Sequence, residues 1–289
     1  MSKIGAAILT VLDPLFPKPV HPFNLNNAGE KTYAQWQFEK AEDTIRFYLE
    51  RYTPEQMFAG KTVLDCGCGE GGKTTYYASL GAKHVVGIDI VPAYEQRATD
   101  FARQKGYGDV FEFCLTDATK LPYPDGTFDT IIMNDFIEHV NKPEEALKEG
   151  LRVLKPGGRL YTNFPPYYHP YGAHLSDAIG MPWVHVFFSD DTLIRVYKKK
   201  VAPLPDGADR VRFRFSKDEK GKEYISYINK MTIARFEGIL RRLEIHPVYY
   251  NLTPLRKVVA PLAKTRLFRE SMNKMVTCVI EKPTGPAHG

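Results

Sequence analysis

Short apolar segments alternate with helix-like segments between residues 61 and 164, and this alternation limits the fold more strictly than any other feature of the chain. The apolar segments lie at residues 61–65, 84–90, 110–118, 128–135 and 159–164. Each has the length of a buried strand, and the residues between them show helical spacing of apolar side chains. Strands joined through helices by short loops form a parallel sheet with right-handed crossovers. The sequence therefore predicts an α/β fold with a Rossmann-like core.

The alternation stops at Pro165-Pro166, and residues 165–230 show no clear period. A stretch of this length inside a compact domain is more typical of a structured insertion than of a bare loop. We interpret it as a cap insertion between strands 5 and 6, over the carboxyl ends of the strands, where open α/β sheets bind ligands. The other predicted segments are an N-terminal helical lid at 1–59, the core at 60–164, and the completion of the sheet at 231–289.

The composition is that of an ordinary globular protein, with 43% hydrophobic and 25% charged residues. No apolar run reaches the roughly 18–20 residues that a membrane span requires. The first apolar stretch is broken at Asp13-Pro14 and lacks the cleavage site of a signal peptide; it predicts a short packed helix, with a membrane-surface anchor as the alternative. The four cysteines form no CxxC pair, which favours reduced thiols and a cytoplasmic location.

Charge is distributed unevenly along the chain. Residues 1–194 carry 18 basic and 25 acidic side chains, whereas residues 195–289 carry 21 and 9. A basic final third can bind nucleic acid, an anionic membrane or an acidic substrate, and it can equally be a solvated face that balances the acidic part. The nucleic-acid alternative rests on Lys198–Lys200 and on Arg210, Arg212 and Arg214, although no RNA- or DNA-binding module is visible.

The segment VLDCGCGEGGK, residues 63–73, poses a question about its ligand. Its spacing Gly67-x-Gly69-x-x-Gly72 matches the fingerprint of a dinucleotide site, which would make the protein an NAD(P)-dependent oxidoreductase. Two acids, Asp65 and Glu70, would however repel a pyrophosphate held at a helix N-terminus. A cationic ligand reverses the sign of this interaction. S-adenosylmethionine is such a ligand, because it carries an ammonium and a sulfonium and no phosphate.

Two more carboxylates follow strands of the predicted sheet. Asp89 ends the second strand and can accept hydrogen bonds from both ribose hydroxyls, as an acid does in NAD enzymes too. Asp117, with Ala118 beside it, ends the third strand, where a carboxylate can accept from an adenine amino group. These positions are consistent with a nucleoside ligand and do not by themselves identify it.

The motifs as a set resemble the class I S-adenosylmethionine-dependent methyltransferases over roughly residues 60–165. They are Asp65-x-Gly67-x-Gly69-x-Gly71, Gly87-Ile-Asp89, Thr116-Asp117-Ala118, Phe128-Asp129, Glu138-His139-Val140 and Leu154-Lys-Pro-Gly-Gly158. The resemblance implies a seven-stranded, mostly parallel sheet whose last two strands, at 245–252 and 276–282, form an edge hairpin. It also implies that the helix at 32–49 closes over the donor. The donor-binding residues that follow are Asp65, Gly67, Cys68, Gly69, Asp89, Ile90, Asp117, Ala118 and Asn134.

Methyl transfer from a sulfonium needs alignment and exclusion of water, and a general base is optional. The segment 134–140 is similar to that of ubiquinone-pathway O-methyltransferases, in which two glutamates and a histidine can hold a metal. Here Asp135 replaces the first glutamate, while Glu138 and His139 match. We name Glu138 and His139 as candidate catalytic residues and expect them to position the acceptor without a metal; a metal site and a histidine base are the alternatives.

The cap is rich in aromatic and histidine residues. The predicted substrate-binding residues are Tyr167, Tyr168, His169, His174, Trp183 and His185. They suit an apolar or aromatic small-molecule acceptor, and the alternative is that they form the core of the cap. The predicted reaction is therefore methyl transfer from S-adenosylmethionine to a small molecule, with oxygen favoured over nitrogen or carbon.

Overall fold

A computed structural model describes residues 2–285 of the chain. Tertiary contacts divide these residues into two compact units. The helical unit comprises residues 2–32, 165–234 and 254–274, and the sheet unit comprises residues 33–164, 235–253 and 275–285. The predicted N-terminal lid is thus shared between the two units, with the division at Tyr33.

Helices and strands follow each other along both units. The helices are α1 Ser2–Leu12, α2 Pro22–Asn27, α3 Tyr33–Glu39, α4 Ala41–Ile45, α5 Pro54–Phe58, α6 Gly72–Ser79, α7 Tyr94–Gln104, α8 Pro143–Val153, α9 Val184–Phe187, α10 Asp190–Val201, α11 Gly207–Arg214, α12 Ile233–Arg242, α13 Ala260–Ala263 and α14 Arg269–Met272. The strands are β1 Thr62–Cys66, β2 His84–Asp89, β3 Phe111–Leu115, β4 Phe128–Asn134, β5 Leu154–Phe164, β6 Phe215–Lys217, β7 Glu223–Ile225, β8 Tyr249–Pro254 and β9 Asn273–Glu281. Short 3₁₀ turns lie at Asp13–Leu15 and Lys257–Val259.

The main sheet has seven strands in the order β3-β2-β1-β4-β5-β9-β8. The neighbours from β3 to β5 pair in parallel, and β9 pairs antiparallel with β5. This confirms the predicted α/β class and the mostly parallel, seven-stranded sheet. The last two strands are neighbours at one edge, but they are not a tight hairpin. The chain between them contains the helices α13 and α14 and belongs to the helical unit.

The predicted helix at 32–49 is interrupted in the structure. It consists of α3 and α4, and the residue between them, Lys40, has a φ of −103° and a ψ of 3°. Ile45 and Tyr48 beyond the interruption are fully buried in the core of the sheet unit, together with Val63 and Ile132 from the central strands. The predicted single helix is therefore two short helices, and the buried segment follows the second of them.

The helical unit has a separate core. Ala6 and Leu9 of α1 and Leu193 and Tyr197 of α10 are buried there, so the first apolar stretch is a packed helix, as predicted. Among residues 2–285, no helix combines the length and the apolar character needed to cross a bilayer. The four cysteines are free thiols. The cytoplasmic location inferred from them stays a prediction.

Candidate functional site

The glycine loop between β1 and α6 has a backbone that only glycine adopts at low cost. Gly67, Gly69 and Gly71 have φ values of 75°, 55° and 75°, in the left-handed region that side chains with a Cβ disfavour. The backbone N–H groups of Gly67 and Cys68 both donate to the carbonyl oxygen of Ile88, at 2.8 and 3.0 Å. The loop is therefore held against the end of β2 and presents its backbone to a ligand.

Asp89 joins the end of β2 to this loop. Its Oδ2 accepts a hydrogen bond from the Gly69 N–H at 3.0 Å, and its Oδ1 accepts from the Val91 N–H at 3.0 Å. Burial raises the pKa of the carboxyl, while these backbone donors act in the opposite direction. Each oxygen keeps a further lone pair that a ligand hydroxyl can use. The next residue, Ile90, is 70% exposed.

The two acids of the loop have different surroundings. Glu70 pairs with Arg97, at 2.6 Å between Oε1 and Nη1, so its charge is balanced within the protein. Asp65 is buried, and the Thr74 hydroxyl donates to its Oδ2 at 2.6 Å. Burial raises the pKa of Asp65 to about 6. Since a hydroxyl, and not a cation, is its hydrogen-bond partner, Asp65 is the acid that can respond to a cationic ligand.

Helix α3, the first part of the segment expected to close over the donor, lies directly against the loop. A Cβ at Gly72 would lie 2.2 Å from the Ala34 carbonyl oxygen and 2.6 Å from the Cβ of Gln37. A Cβ at Gly69 would lie 3.7 Å from the Nε2 of Gln37. Gln37 is only 5% exposed, and its Oε1 accepts no hydrogen bond in the described part of the chain. A buried acceptor without a donor costs free energy, so this oxygen is suited to a ligand that donates.

Close packing explains two other loop positions. A Cβ at Gly67 would lie 2.6 Å from the Cδ2 of Phe136, and a Cβ at Gly87 would lie 2.8 Å from the Cβ of Cys68. Gly67 therefore allows an aromatic ring to approach the loop, and Cys68 is a buried residue that fills the space above β2. Phe136 was not singled out from the sequence, because its contact with Gly67 joins the ends of β1 and β4, which are neighbours in the sheet but far apart along the chain.

The residues predicted to contact adenine lie after β3. Asp117 is exposed, and its Oδ1 accepts from the N–H and the hydroxyl of Thr119 at 2.8 and 2.9 Å. Ala118 is buried. The structure therefore gives Asp117 a role in its own turn, and contact with adenine stays a prediction for both residues.

Asn134 is the last residue of β4, and its amide is held by two tyrosines. The Tyr48 hydroxyl donates to its Oδ1 at 2.5 Å, and its Nδ2 donates to the Tyr77 hydroxyl at 3.4 Å. These bonds fix the orientation of the side chain in the buried interior. The predicted place of Asn134 beside the transferred methyl group remains untested.

The segment after β4 brings together several ionisable groups. Lys73 of α6 donates to Asp135 at 2.8 Å. Glu138 is buried, and neither of its carboxylate oxygens has a hydrogen-bond partner within residues 2–285. Burial, followed by repulsion from Asp135, raises the pKa of Glu138 well above its ordinary value. The Nε2 of His139 lies 3.6 Å from Oε1 of Glu138. The two candidate catalytic residues are therefore adjacent, and Glu138 has unused capacity for hydrogen bonding.

Four of the six predicted substrate-binding residues lie together in the helical unit. The ring of His185 is 4.8 Å from that of Tyr167 and 6.5 Å from that of Tyr168, centroid to centroid. The Trp183 indole N–H donates to the Tyr168 carbonyl oxygen at 3.1 Å. Neither nitrogen of His185 has a hydrogen-bond partner in residues 2–285. Burial lowers the pKa of His185 to about 4, so the imidazole is neutral at pH 7.

The two remaining histidines have separate surroundings. The Nδ1 of His169 accepts from the Tyr171 N–H at 3.2 Å, and burial lowers the pKa of His169 to about 4. His174 has a φ of 53°, and its ring lies 6.0 Å from that of Tyr227. Within the helical unit, one ring nitrogen of His169 is thus bonded to the backbone of its own turn, and His174 packs against the ring of Tyr227.

Most of the cations behind the nucleic-acid alternative are paired with acids. Lys198 pairs with Glu223, Lys200 with Asp13 and Arg212 with Asp209. Arg210 and Arg214 are buried, and each forms an ion pair with Asp177 at 3.0 Å. These cations therefore contribute little unbalanced charge to the surface. Within residues 2–285, Lys199 is the one member of this set that is exposed and forms no ion pair.

Comparison with known proteins assigns part of the sheet unit to a family. Residues 64–162 match the protein family described as "Methyltransferase domain". The chain is 32% identical over 145 residues to the chloroplastic tocopherol O-methyltransferase of Arabidopsis thaliana, which covers 50% of this chain and 40% of that protein. It is 36% identical over 157 residues to the 27-O-demethylrifamycin SV methyltransferase of Amycolatopsis mediterranei, which covers 53% of this chain and 54% of that protein. The chain thus spans about half the length of these curated relatives.

A solved structure, that of the PH0226 protein from Pyrococcus horikoshii, shares the fold. It aligns with a TM-score of 0.51 and 19% identity over 85% of this chain and 91% of that one. The sheet topology and the glycine loop define a Rossmann-like α/β domain. With the family match, residues 64–162 form a class I S-adenosylmethionine-dependent methyltransferase domain. S-adenosylmethionine is the methyl donor of this domain, which answers the question posed by its glycine spacing.

Proposed function

We propose that this protein transfers a methyl group from S-adenosylmethionine to a small-molecule acceptor, with an oxygen atom as the favoured acceptor. The observation that carries the proposal is the glycine loop, which lies beside the buried Asp65, whose hydrogen-bond partner is a hydroxyl, and is bonded through Gly69 to Asp89. The names of the two relatives, tocopherol O-methyltransferase and 27-O-demethylrifamycin SV methyltransferase, support a small molecule, and the first supports an oxygen atom.

The chain's residues have distinct parts in this reaction. When bound, S-adenosylmethionine supplies a methyl group that is already activated by the sulfonium. Asp65 faces the ammonium of the donor, and Asp89 accepts from its ribose hydroxyls while holding Gly69 in place. The protein aligns the acceptor lone pair with the methyl carbon and excludes water, which is the main requirement for an in-line displacement. The other residues that the family resemblance implies are proposed to contact the donor as well. They are Gly67, Cys68, Gly69, Ile90, Asp117, Ala118 and Asn134.

Gln37 is an additional donor-binding residue in this proposal. Its unpartnered Oε1 beside Gly69 accepts from the donor's ammonium. A hydrogen bond to a charged group contributes roughly 1.5–3 kcal/mol, so we expect Gln37→Ala to weaken S-adenosylhomocysteine binding about 10–100-fold in calorimetric titration. Gln35→Ala is the matched control, because Gln35 lies on the same helix and donates to the exposed Glu39. Equal effects of the two substitutions would argue against a donor contact.

The aromatic and histidine residues of the helical unit are proposed to contact the acceptor. Tyr168 is 41% and Phe187 67% exposed, which leaves apolar ring surface for a ligand. The neutral imidazoles of His169 and His185 can donate or accept one hydrogen bond at pH 7 without the cost of a buried charge. This chemistry suits an acceptor with an aromatic or apolar body and a hydroxyl group.

Glu138 and His139 are proposed to position the acceptor and not to hold a metal. We expect Glu138→Gln and His139→Ala each to reduce turnover about tenfold, the loss of roughly one hydrogen bond, and the chelator EDTA to have no effect. The measurement is the initial rate across a pH series, with and without EDTA. A loss of about 10²–10⁴-fold in His139→Ala with a flattened pH profile would instead indicate a general base. Activity that EDTA abolishes and Mg²⁺ or Zn²⁺ restores would indicate a metal.

The experiment that tests the proposed function is a screen for methyl transfer. The purified protein is incubated with methyl-labelled S-adenosylmethionine and a library of small metabolites, and in parallel with RNA and DNA. The proposal expects label in an organic-extractable product and none in nucleic acid. Label in RNA or DNA alone would contradict it and favour the alternative based on the basic final third of the chain.

A further inference from the structure

Residues 255–268, here called the basic-apolar segment, expose large apolar side chains. Val258 and Leu267 are 81% and 80% exposed, and Leu262 and Phe268 are 45% and 37% exposed. Val258 and Leu262 are four residues apart on consecutive helical turns, so they lie on the same side of them. Single exposed apolar residues are common, but a cluster of this kind marks a surface that contacts something.

The same segment has a high density of basic side chains. It contains Arg256, Lys257, Lys264 and Arg266 and no aspartate or glutamate. All four side chains are exposed, and within residues 2–285 none is paired with a carboxylate. The paired cations of residues 198–214 differ from them in this respect. In this segment, therefore, unbalanced positive charge lies beside exposed apolar side chains.

The segment is held firmly at its base, so its exposed side chains are not those of a loose loop. Ala263 is buried, and the Asn273 amide donates to the carbonyl oxygens of Ala263 and Arg269 at 3.0 and 2.8 Å. The Leu255 N–H donates to the Met272 carbonyl oxygen at 2.8 Å, which closes the segment at its start. Backbone bonds and one buried anchor thus fix the segment while its apolar and basic side chains point to solvent.

We propose that the basic-apolar segment docks on the surface of an anionic lipid bilayer. Anionic headgroups attract lysine and arginine, and apolar side chains on the same segment enter the boundary between headgroups and acyl chains. Two observations favour a lipid bilayer. The positive charge of the segment complements anionic headgroups, and exposed apolar side chains lie beside that charge. Nucleic acid is a poorer fit, because single strands are bound by rings that stack on bases and three of the four exposed apolar residues are aliphatic. This inference does not depend on the proposed methyl transfer.

The test is sedimentation of the full chain with lipid vesicles. One set contains phosphatidylcholine mixed with phosphatidylserine, and the other contains phosphatidylcholine alone. The variant carries Arg256→Gln, Lys257→Gln, Lys264→Gln and Arg266→Gln. The control carries Lys199→Gln, Lys217→Gln, Lys220→Gln and Lys222→Gln, which remove the same charge from exposed positions elsewhere in the helical unit.

We expect the wild type to bind the anionic vesicles and not the neutral ones, and binding to weaken as salt rises. Each basic residue near an anionic surface contributes roughly fivefold to the partition coefficient, so the four-residue variant should lose more than about a hundredfold. The control should keep most of the wild-type affinity. The double variant Val258→Ser and Leu267→Ser should also bind anionic vesicles more weakly, although its charge is unchanged.

Three results would overturn the proposal. Wild-type protein that stays in solution with the anionic vesicles shows that the segment does not dock on lipid. Binding that survives the four-residue variant assigns it to another surface, such as the exposed Ile4 and Val11 of α1. Binding to RNA in gel-shift assays, lost in the same variant and without vesicle binding, assigns the segment to nucleic acid. Thermal unfolding of each variant, monitored by circular dichroism, confirms that the substitutions leave the fold intact.

Discussion

Replacing Asp89 with alanine is expected to weaken the binding of S-adenosylhomocysteine by about 10²–10⁴-fold. The carboxylate accepts from the N–H groups of Gly69 and Val91, so its loss removes one of the hydrogen bonds that hold the glycine loop to the end of β2 and also removes the proposed partner of the ribose hydroxyls. A hydrogen bond to a charged group contributes roughly 1.5–3 kcal/mol, and the loss of two such bonds on ligand binding corresponds to this range. Isothermal titration calorimetry at fixed pH measures the effect.

Asp100→Ala provides the matched control for Asp89→Ala. Asp100 is a carboxylate on α7 that bonds to the exposed Gln96 and pairs at 3.6 Å with Arg103 of the same helix. Its removal changes the net charge equally but touches no part of the glycine loop. An Asp89→Ala variant that binds S-adenosylhomocysteine as tightly as Asp100→Ala does would refute the role assigned to Asp89.

Acidification below pH 6 is expected to weaken S-adenosylhomocysteine binding about tenfold per pH unit. The pKa of Asp65 is raised to about 6 by burial in the ligand-free protein. The ligand's ammonium needs the charged carboxylate, so binding at lower pH must first remove a proton from Asp65. Asp65→Asn should abolish this pH dependence and weaken binding at pH 7 by about 10²-fold, through loss of a charge-assisted contact. Titrations from pH 5 to pH 8 measure both effects.

The free protein should respond to pH in the opposite direction. A raised folded-state pKa means that the native state holds the proton on Asp65 more tightly than the unfolded chain. The stability contributed by this group is therefore complete below its ordinary pKa and is lost as pH rises through about 6. Asp100→Asn is the control, since Asp100 lies outside the glycine loop on α7.

Ligand affinity in wild-type protein that stays constant from pH 8 to pH 5 would contradict the contact between Asp65 and the ammonium.

The features predicted correctly from the sequence are those that neighbouring residues determine. Buried parallel strands appear in the sequence as short apolar runs between segments with helical spacing of apolar residues. The strands β1 to β5 lie at these runs. The positive φ of Gly67, Gly69 and Gly71 is likewise a local requirement that leaves glycine as the residue of choice. For this reason the class of fold and the position of the donor loop could be inferred before any contact was known.

The features that were missed depend on contacts between distant parts of the chain. Gln37 resembles any polar residue on an amphipathic helix, and only the packing of α3 against Gly72 shows that it lies beside the loop. The basic run at 198–214 suggested phosphate binding, yet its partners include Asp13 and Glu223, whose positions the charge count does not reveal. Pairing of this kind becomes visible only in the folded structure.

The most direct test of the central claim is a calorimetric titration of the wild-type protein with S-adenosylhomocysteine and, separately, with NAD⁺. The buried Asp65 beside the glycine loop, whose hydrogen-bond partner is the Thr74 hydroxyl, favours a ligand with an ammonium over one with a pyrophosphate. The account predicts saturable, single-site binding of S-adenosylhomocysteine and no detectable binding of NAD⁺. Binding of NAD⁺ without binding of S-adenosylhomocysteine would contradict it.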